Sequence, residues 1–516
     1  MCGIVGYVGY DEAAGKIIEG LKKLEYRGYD SSGIAVLSDK GIELNKCKGE
    51  IENLENMIAG RVPSGTCGIG HTRWATHGAP SDVNSHPHMD QSGRVALVHN
   101  GIVENYVELK EALIKEHGIK FKSETDSEVI AQLVGVKYNS NGGDLEKAVY
   151  DATKEMRGTY AIGVIAEDTP NKIVAYRKEA PLIAGIGRKS NFIASDIPAL
   201  LKYTNDIFLI ENDEMVVCTP DSITIKDKDG KEVKREAMKI TWSVEDAEKG
   251  GYEHFMLKEI NEQPKVVAET LNRRIDEDGK IKLDGINLTK EELDKYNKIY
   301  IVACGTAYHA GLVGKYVIEK MAGIAVEVDV ASEFRYRDPF IDKNTLFIAI
   351  SQSGETLDTL MSLRLAKEKG ARVLSVVNVV GSSIARESDD VFYTWAGPEI
   401  AVASTKAYTT QLVCMYLIAL YLGDIRGTLT EEYREFILGE LQQIPETIQE
   451  ILEESPYIEK LAKRLYNKTQ VFFIGRGLDS AVAYEGSLKL KEISYINSFA
   501  IAAGELKHGT IALMEP

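Results

Sequence analysis

Cysteine is sparse in this 516-residue chain, and its six copies (Cys2, Cys47, Cys67, Cys218, Cys304 and Cys414) include no Cys-x-x-Cys pair. That scatter argues against a disulfide framework and against a zinc site, and it suits a reducing cytoplasm. No apolar run reaches the roughly 18 residues of a membrane span. The start lacks the basic region and long apolar stretch of an export signal. A positive balance is missing too: 61 Lys and Arg stand against 78 Asp and Glu, a formal net charge of −17. Neither a nucleic acid nor a membrane is therefore expected as partner, although a local basic pocket could still hold phosphate.

What is present fits a soluble globular protein, 44% hydrophobic and 27% charged, and too long for one core. Residues 1–240 mix short β-type runs ("GIVGYVG", "GIAVLS", "CGIGHTRWA", "RVALVHNG", "TYAIGVIAE", "KIVAYR", "DIFLIENDEMVVC") with two helical stretches, "DEAAGKIIEGLKKLEYRG" and "DSEVIAQLVGVKYN". This is an α+β pattern rich in antiparallel strands. A linker and helix cover 241–290. From 291 to 428, apolar strands such as "KIYIVACG" and "TLFIAISQSGE" alternate with helices, the rhythm of a doubly wound parallel α/β sheet. Connecting helices then lead, within 429–516, to a second start at "TQVFFIGRG". Laid over "KIYIVACGTAYHAG" without a gap, "QVFFIGRGLDSAVA" puts Gly477 on Gly305 and Glu505 on Glu333. We read a duplicated domain whose second copy is incomplete, since the counterpart of Ser351 would fall beyond Pro516.

Several stretches carry chemistry. Cys2 follows Met1 directly. It is either a small residue opening an edge strand or, once Met1 is removed, a terminal nucleophile. In the second case its own α-amine, with a pKa of roughly 7.7–8.0, would serve as base for a thiol near 8.5. In "SQSGET", Ser351, Ser353 and Thr356 place hydroxyls between a buried strand and a helix, with Gly354 allowing close backbone approach. The turn is either an ordinary helix cap or a site for a compact monophosphate such as a sugar phosphate; no nucleotide P-loop pattern is present. "VASTKAYTTQ" (402–411) is a second hydroxyl-rich turn that could line the same crevice. In "GHTRWATHG" and "LVHNGIVENY", Arg73 offers a carboxylate fork or a surface salt bridge, and Asn100–Gly101 an oxyanion hole or a hairpin turn. His71, His77, His86 and His88 lack the spacing of a metal site, and none is expected. Lys489 and Glu492 share a helix face, which by itself reads as a solvated ion pair.

Together these motifs resemble one family. "MCGIVGYVG", "LKKLEYRGYDSSGIA", "GHTRWATHG", "HNGIVENY" and "ETDSEVIAQL" are similar to the N-terminal-nucleophile (Ntn) glutaminase domain of glutamine-dependent amidotransferases, an αββα sandwich. "ISQSGETLDTL", "ASTKAYTTQ" and "EGSLKLKEISYINSFAIAAGELKHG" are similar to paired sugar-isomerase (SIS) domains. Their order resembles the glutamine–fructose-6-phosphate aminotransferase (isomerising) family, which makes glucosamine 6-phosphate, the first step towards UDP-N-acetylglucosamine. The resemblance implies that Cys2 attacks the glutamine amide and that Asn100 and Gly101 hold the oxyanion. It implies that Arg73 and Asp126 hold the α-carboxylate and α-amine, with Thr76 and His77 also at the glutamine. Arg27 and Tyr29 would belong to a closing loop, and Trp74 would gate an ammonia channel. Fructose 6-phosphate would meet Thr306, Ser351, Gln352, Ser353, Thr356, Val402 and Ser404. Glu492 would move the proton between C1 and C2, supported by Lys489, and His508 would assist ring opening from a neighbouring subunit of a homodimer. No cofactor is implied. Two departures stand out: Ala307 replaces the family's serine, and the family's basic tail with its Schiff-base lysine has no counterpart before Pro516. The expectation is a cytoplasmic protein that is a competent or partly competent glutaminase and a crippled synthase. A sugar-phosphate sensor, or an amidotransferase for another acceptor, are the alternatives.

Overall fold

The strand Gly3–Gly9 is buried at every position. It runs antiparallel between Cys67–Arg73 and Ser190–Ala194, near the middle of an eight-stranded sheet. Cys2 therefore leads into a central strand and not an edge. The computed structural model describes residues 2–25, 28–75, 77–240, 249–275, 281–283, 285–286 and 288–513, in two compact units, Met1–Ala247 and Glu248–Pro516. In the first unit a six-stranded antiparallel sheet, with Val95–Val103 and Gly158–Ala166 among its strands, lies against the eight-stranded one. Ile4, Val8, Ile69, Val98, Ala161 and Ile193 fill the layer between them. Helix Ala13–Lys22 closes the outer face of one sheet with Ile17 and Leu21. Helices Asp126–Ser140 and Leu145–Glu155 close the other with Val129, Ile130, Val149 and Ala152. The result is the αββα sandwich.

Two local readings of this unit change. Asn100–Gly101 is not a hairpin turn: it lies within Val95–Val103, with Asn100 opposite Ala161 and Gly101 opposite Tyr160. "DIFLIENDEMVVC" is two strands, Asp206–Leu209 and Glu214–Cys218, one in each sheet. The polar "END" between them turns the chain, with Asp213 at φ +58°, as a short Asn/Asp turn permits.

In the second unit five parallel strands stand in the order Ala325–Val330, Lys298–Ala303, Thr345–Ser351, Arg372–Val377, Asp390–Tyr393. The chain order reverses between the second and third of these. Crevices at such a switch point, beyond the strand C-termini, are where open α/β sheets bind ligands. Helix Lys406–Arg426 is long and apolar enough to cross a membrane by length and composition, which corrects the reading that no such run exists. Yet 67% of its apolar window is buried, because Val413, Cys414, Leu417 and Ile418 pack into the core beside helix Gly305–Ala322. The duplication has a structural counterpart. Gln470–Gly475 pairs in parallel with Asn497–Ala502, Gln470 opposite Asn497, in the register that sets Lys298 opposite Ala325. Gly477 and Gly305 both have positive φ.

Candidate active sites

The first site is assembled from strand ends. Cys2 precedes Gly3–Gly9, and Arg73 ends the neighbouring strand, so the sheet register alone makes them neighbours. The backbone N–H of Trp74 donates to the Cys2 Sγ at 3.2 Å. Burial nevertheless pushes the Cys2 thiol pKa up, against that bond and the nearby Arg73 guanidinium, so the thiol is protonated at neutral pH and needs a base before it can attack. The Asn100 Nδ2 donates to the Cys2 carbonyl at 3.0 Å. Gly101 has φ +118°, and a Cβ there would stand 2.0 Å from the Thr159 carbonyl oxygen; only glycine fits.

Arg73 is buried, and its partners are carbonyls and not an acid: Nη2 donates to His77 O and, at 3.0 Å, to Gly78 O. Its Nη1 is buried with no hydrogen-bond partner among the described residues. A guanidinium held by neutral acceptors with one end unmet is suited to a ligand carboxylate. Asp126 is fixed at the first turn of helix Asp126–Ser140, accepting from the Val103 N–H at 3.0 Å. Cys2, Arg73, Trp74, His77, Gly101 and Asp126 line one small cavity. Trp74 is half exposed, with Tyr29 edge-on at 5.4 Å. Arg27 and Thr76 lie outside the described residues.

His86 and His99 also line this cavity, as part of an arrangement that the motifs do not show. His71, His86, His88 and His99 are buried together, His71 and His86 stacked at 4.1 Å. Burial lowers all four pKa values, that of His71 to about 3, so they are neutral imidazoles in the interior.

The second site lies at the strand C-termini of the other unit. After Thr345–Ser351, the Ser351 Oγ accepts from the Gly354 N–H at 3.1 Å and sits 3.1 Å from the Thr356 Oγ1. Thr356 is the N-cap of helix Leu357–Glu368, but its hydroxyl makes no cap bond. The hydroxyls thus organise the turn and leave the helix N-terminus uncapped by side chains, an arrangement open to an anion. Ser353 accepts from the Glu355 N–H. Gln352 is tied by its carbonyl to the Asn378 N–H, and Asn378 Nδ2 donates to Gly397 O at 2.7 Å. That asparagine, unmarked in the sequence, joins the first turn to the segment leading to Val402 and Ser404. Val402 is exposed; Ser404 donates to the partly buried Glu399 at 2.7 Å.

Thr306 opens the helix after the adjacent strand, and a charged cluster surrounds it. Glu485, nearly fully buried, accepts from Thr306 Oγ1 at 2.9 Å and His309 Nδ1 at 2.7 Å. The Lys489 Nζ lies 3.1 Å from Thr306 Oγ1, 3.2 Å from Glu485 and 2.6 Å from Glu492. Lys489 and Glu492 are therefore members of a part-buried network and not a solvated pair. Glu485 and His309 were not singled out from the sequence, because nothing local marks them. Ala307 is buried in the apolar core. His508 is exposed, its backbone N–H bonded to Glu505 O, and no bond joins it to Lys489 or Glu492 among the described residues.

The chain matches the glutamine amidotransferase domain family over residues 71–202 and the SIS domain family over 292–421 and 464–516. It is 59% identical over 515 residues to a glutamine–fructose-6-phosphate aminotransferase (isomerizing) of Clostridium tetani, covering 100% of this chain and 84% of that one. The protein of the same name from Thermus thermophilus is 49% identical over 516 residues, with the same coverage. A solved C-terminal domain of glucosamine-fructose-6-phosphate aminotransferase from Francisella tularensis superposes with a TM-score of 0.50 at 45% identity, covering 52% of this chain and 75% of that chain. With both candidate sites in place and this identity along its whole length, the chain belongs to the glutamine–fructose-6-phosphate aminotransferase (isomerizing) family.

Proposed function

We propose that Cys2, freed by removal of Met1, attacks the side-chain amide of glutamine while its α-amine takes the thiol proton. Asn100 and Gly101 stabilise the tetrahedral oxyanion, Arg73 binds the α-carboxylate and Asp126 the α-amine, with Trp74 and His77 bordering the substrate. The released nitrogen passes to fructose 6-phosphate, whose phosphate sits on Ser351, Gln352, Ser353 and Thr356. Val402, Ser404 and Thr306 flank the sugar. Glu492, steered by Lys489, carries the proton between C1 and C2 as general base. A homodimer in the cytoplasm supplies His508 from the neighbouring subunit.

The observation that carries this reading is the unmet Arg73 Nη1 in the cavity shared with the Cys2 thiol. The raised thiol pKa fits it, since a nucleophile that is not already a thiolate needs the adjacent amine. The test is a glutamine-analogue affinity label read by intact mass. Labelling of Cys2 on a chain lacking Met1, and loss of glutamate release in Cys2→Ala with glutamate binding retained, are the expected results. Normal hydrolysis by Cys2→Ala refutes it.

A further inference from the structure

We infer that His71 is a positioning residue for glutamine hydrolysis: it locks the Asn100 carboxamide with its NH2 group facing the nucleophile. The inference rests on the reading of Asn100 as an oxyanion donor. His71 lies on strand Cys67–Arg73, two residues before Arg73, and projects into the layer between the sheets, opposite Ile4 and Gly33. There its Nε2 stands 3.0 Å from the His99 carbonyl oxygen and 2.9 Å from Asn100 Oδ1.

Proton bookkeeping settles the direction of these bonds. A carbonyl oxygen only accepts, so the nitrogen facing His99 O must carry the proton. His71 Nδ1 is buried and has no partner among the described residues, so a proton placed there would meet no acceptor. The neutral ring is therefore the Nε2–H tautomer. Its single N–H is shared by two oxygens, and the Asn100 atom facing it must be the oxygen. Nδ2 is left on the other side, where it reaches the Cys2 carbonyl at 3.0 Å. A flipped amide would set its NH2 against the imidazole N–H and its oxygen against the developing oxyanion. The ring itself is pinned by the stack on His86, whose Nδ1 accepts the His99 N–H at 3.3 Å. His71 touches neither substrate nor Cys2, and acts through Asn100 alone.

The experiment compares His71→Phe, which keeps a flat ring without the donor, with His71→Gln, whose Nε2 reaches the place of the imidazole Nε2. His71→Asn is a second donor-loss variant, since its amide reaches only the Nδ1 position; it decides the matter if His71→Phe does not fold. Removing an oxyanion donor outright costs about 10²–10³ in kcat. Releasing its orientation should lower glutaminase kcat by roughly 10- to 100-fold, with KM for glutamine within about threefold, and His71→Gln should recover most of the loss. The γ-aldehyde of glutamate forms a tetrahedral adduct with a thiol, whereas glutamate does not. Affinity for the aldehyde should fall in step with kcat while the Ki of glutamate stays put. Unchanged kcat in the folded donor-loss variant, or equal weakening of aldehyde and glutamate, overturns the inference. Full activity in Asn100→Ala would instead overturn the oxyanion reading beneath it.

Discussion

Lys489 Nζ lies 2.6 Å from Glu492 Oε2 and, on its other side, 3.2 Å from the nearly buried Glu485. One ammonium thus separates two carboxylates that would otherwise repel. Burial raises the Glu485 pKa, but the bonds from His309, Lys489 and Thr306 outweigh it and hold the pKa below its ordinary value. A carboxylate with a depressed folded pKa stabilises the fold at pH above its unfolded pKa, and that stabilisation disappears as pH falls through the folded one. Lys489→Met should cost about 2 kcal/mol at pH 7, where it takes the lysine ammonium from a buried carboxylate that keeps only His309 and Thr306. Near pH 4 the difference from the parent should shrink, because Glu485 can then take a proton. Urea unfolding at both pH values measures it. A cost that is equal at both, or larger at pH 4, contradicts the arrangement.

Gly101 makes a sharper case in the other unit. Its φ of +118° and the 2.0 Å approach of a hypothetical Cβ to Thr159 O leave no room for a methyl group. Gly101→Ala must bend the Val95–Val103 strand at the point where Asn100 faces Cys2. We expect a loss of about 2 kcal/mol or more in stability, together with glutaminase activity reduced by at least tenfold. Thermal unfolding and glutamate release report the two effects. A variant that is stable and fully active would show that the strand tolerates movement here.

Much of this was legible beforehand, and the misses have a common cause. "GHTRWATHG", "LVHNGIVENY" and "SQSGET" are local: residues a few positions apart already form a turn or a strand end, so Arg73, Asn100 and Ser351 could be picked out. Glu485 acquires its role from Thr306 and His309, which come from the far end of the unit's sequence. His71 gains its function from a strand of the opposite sheet. Asn378 joins two turns that only the parallel order of strands brings together. The division of 206–218 between two sheets was hidden for the opposite reason. A run of apolar residues around a three-residue polar turn has the composition of one strand, and only sheet pairing shows the break. Helix Lys406–Arg426 is legible as an apolar helix after the 402–411 turn, but not as one of membrane length, because Thr409, Thr410, Gln411 and Gly423 interrupt its apolar residues.

At the turn proposed to hold the phosphate, Ser351 Oγ accepts the Gly354 N–H and contacts Thr356 Oγ1. Ser351→Ala removes both contacts and should weaken fructose 6-phosphate binding by roughly tenfold, about 1.4 kcal/mol. Gly354→Ala should do at least as much harm, because φ is +65° and a Cβ would meet Ser382 Oγ at 1.9 Å. Calorimetric titration with the sugar phosphate measures both, and circular dichroism with thermal unfolding of each variant serves as the control for folding. Undiminished affinity in both variants would remove this turn from the sugar site.

The buried histidines at the Cys2 cavity also set a pH dependence of stability, which is read without any activity assay. Burial holds His71, His86, His88 and His99 neutral, with pKa values below that of a free imidazole and His71 at about 3. In the unfolded chain each titrates near 6.5. Between those limits the unfolded state binds protons that the folded state refuses, so the stabilisation is complete above about pH 6.5 and falls as the pH is lowered. Each histidine contributes a slope of up to about 1.4 kcal/mol per pH unit in that window. Denaturant unfolding of the full chain, followed by a probe in the amidotransferase unit, should show stability dropping steeply from pH 6.5 to 5. His86→Phe should lower the overall level, because it leaves the His99 N–H without its acceptor. The informative quantity is the slope, which should lessen by the share of one proton. An unchanged slope in that variant, or stability that is flat across the window, would mean that these imidazoles accept protons inside the fold.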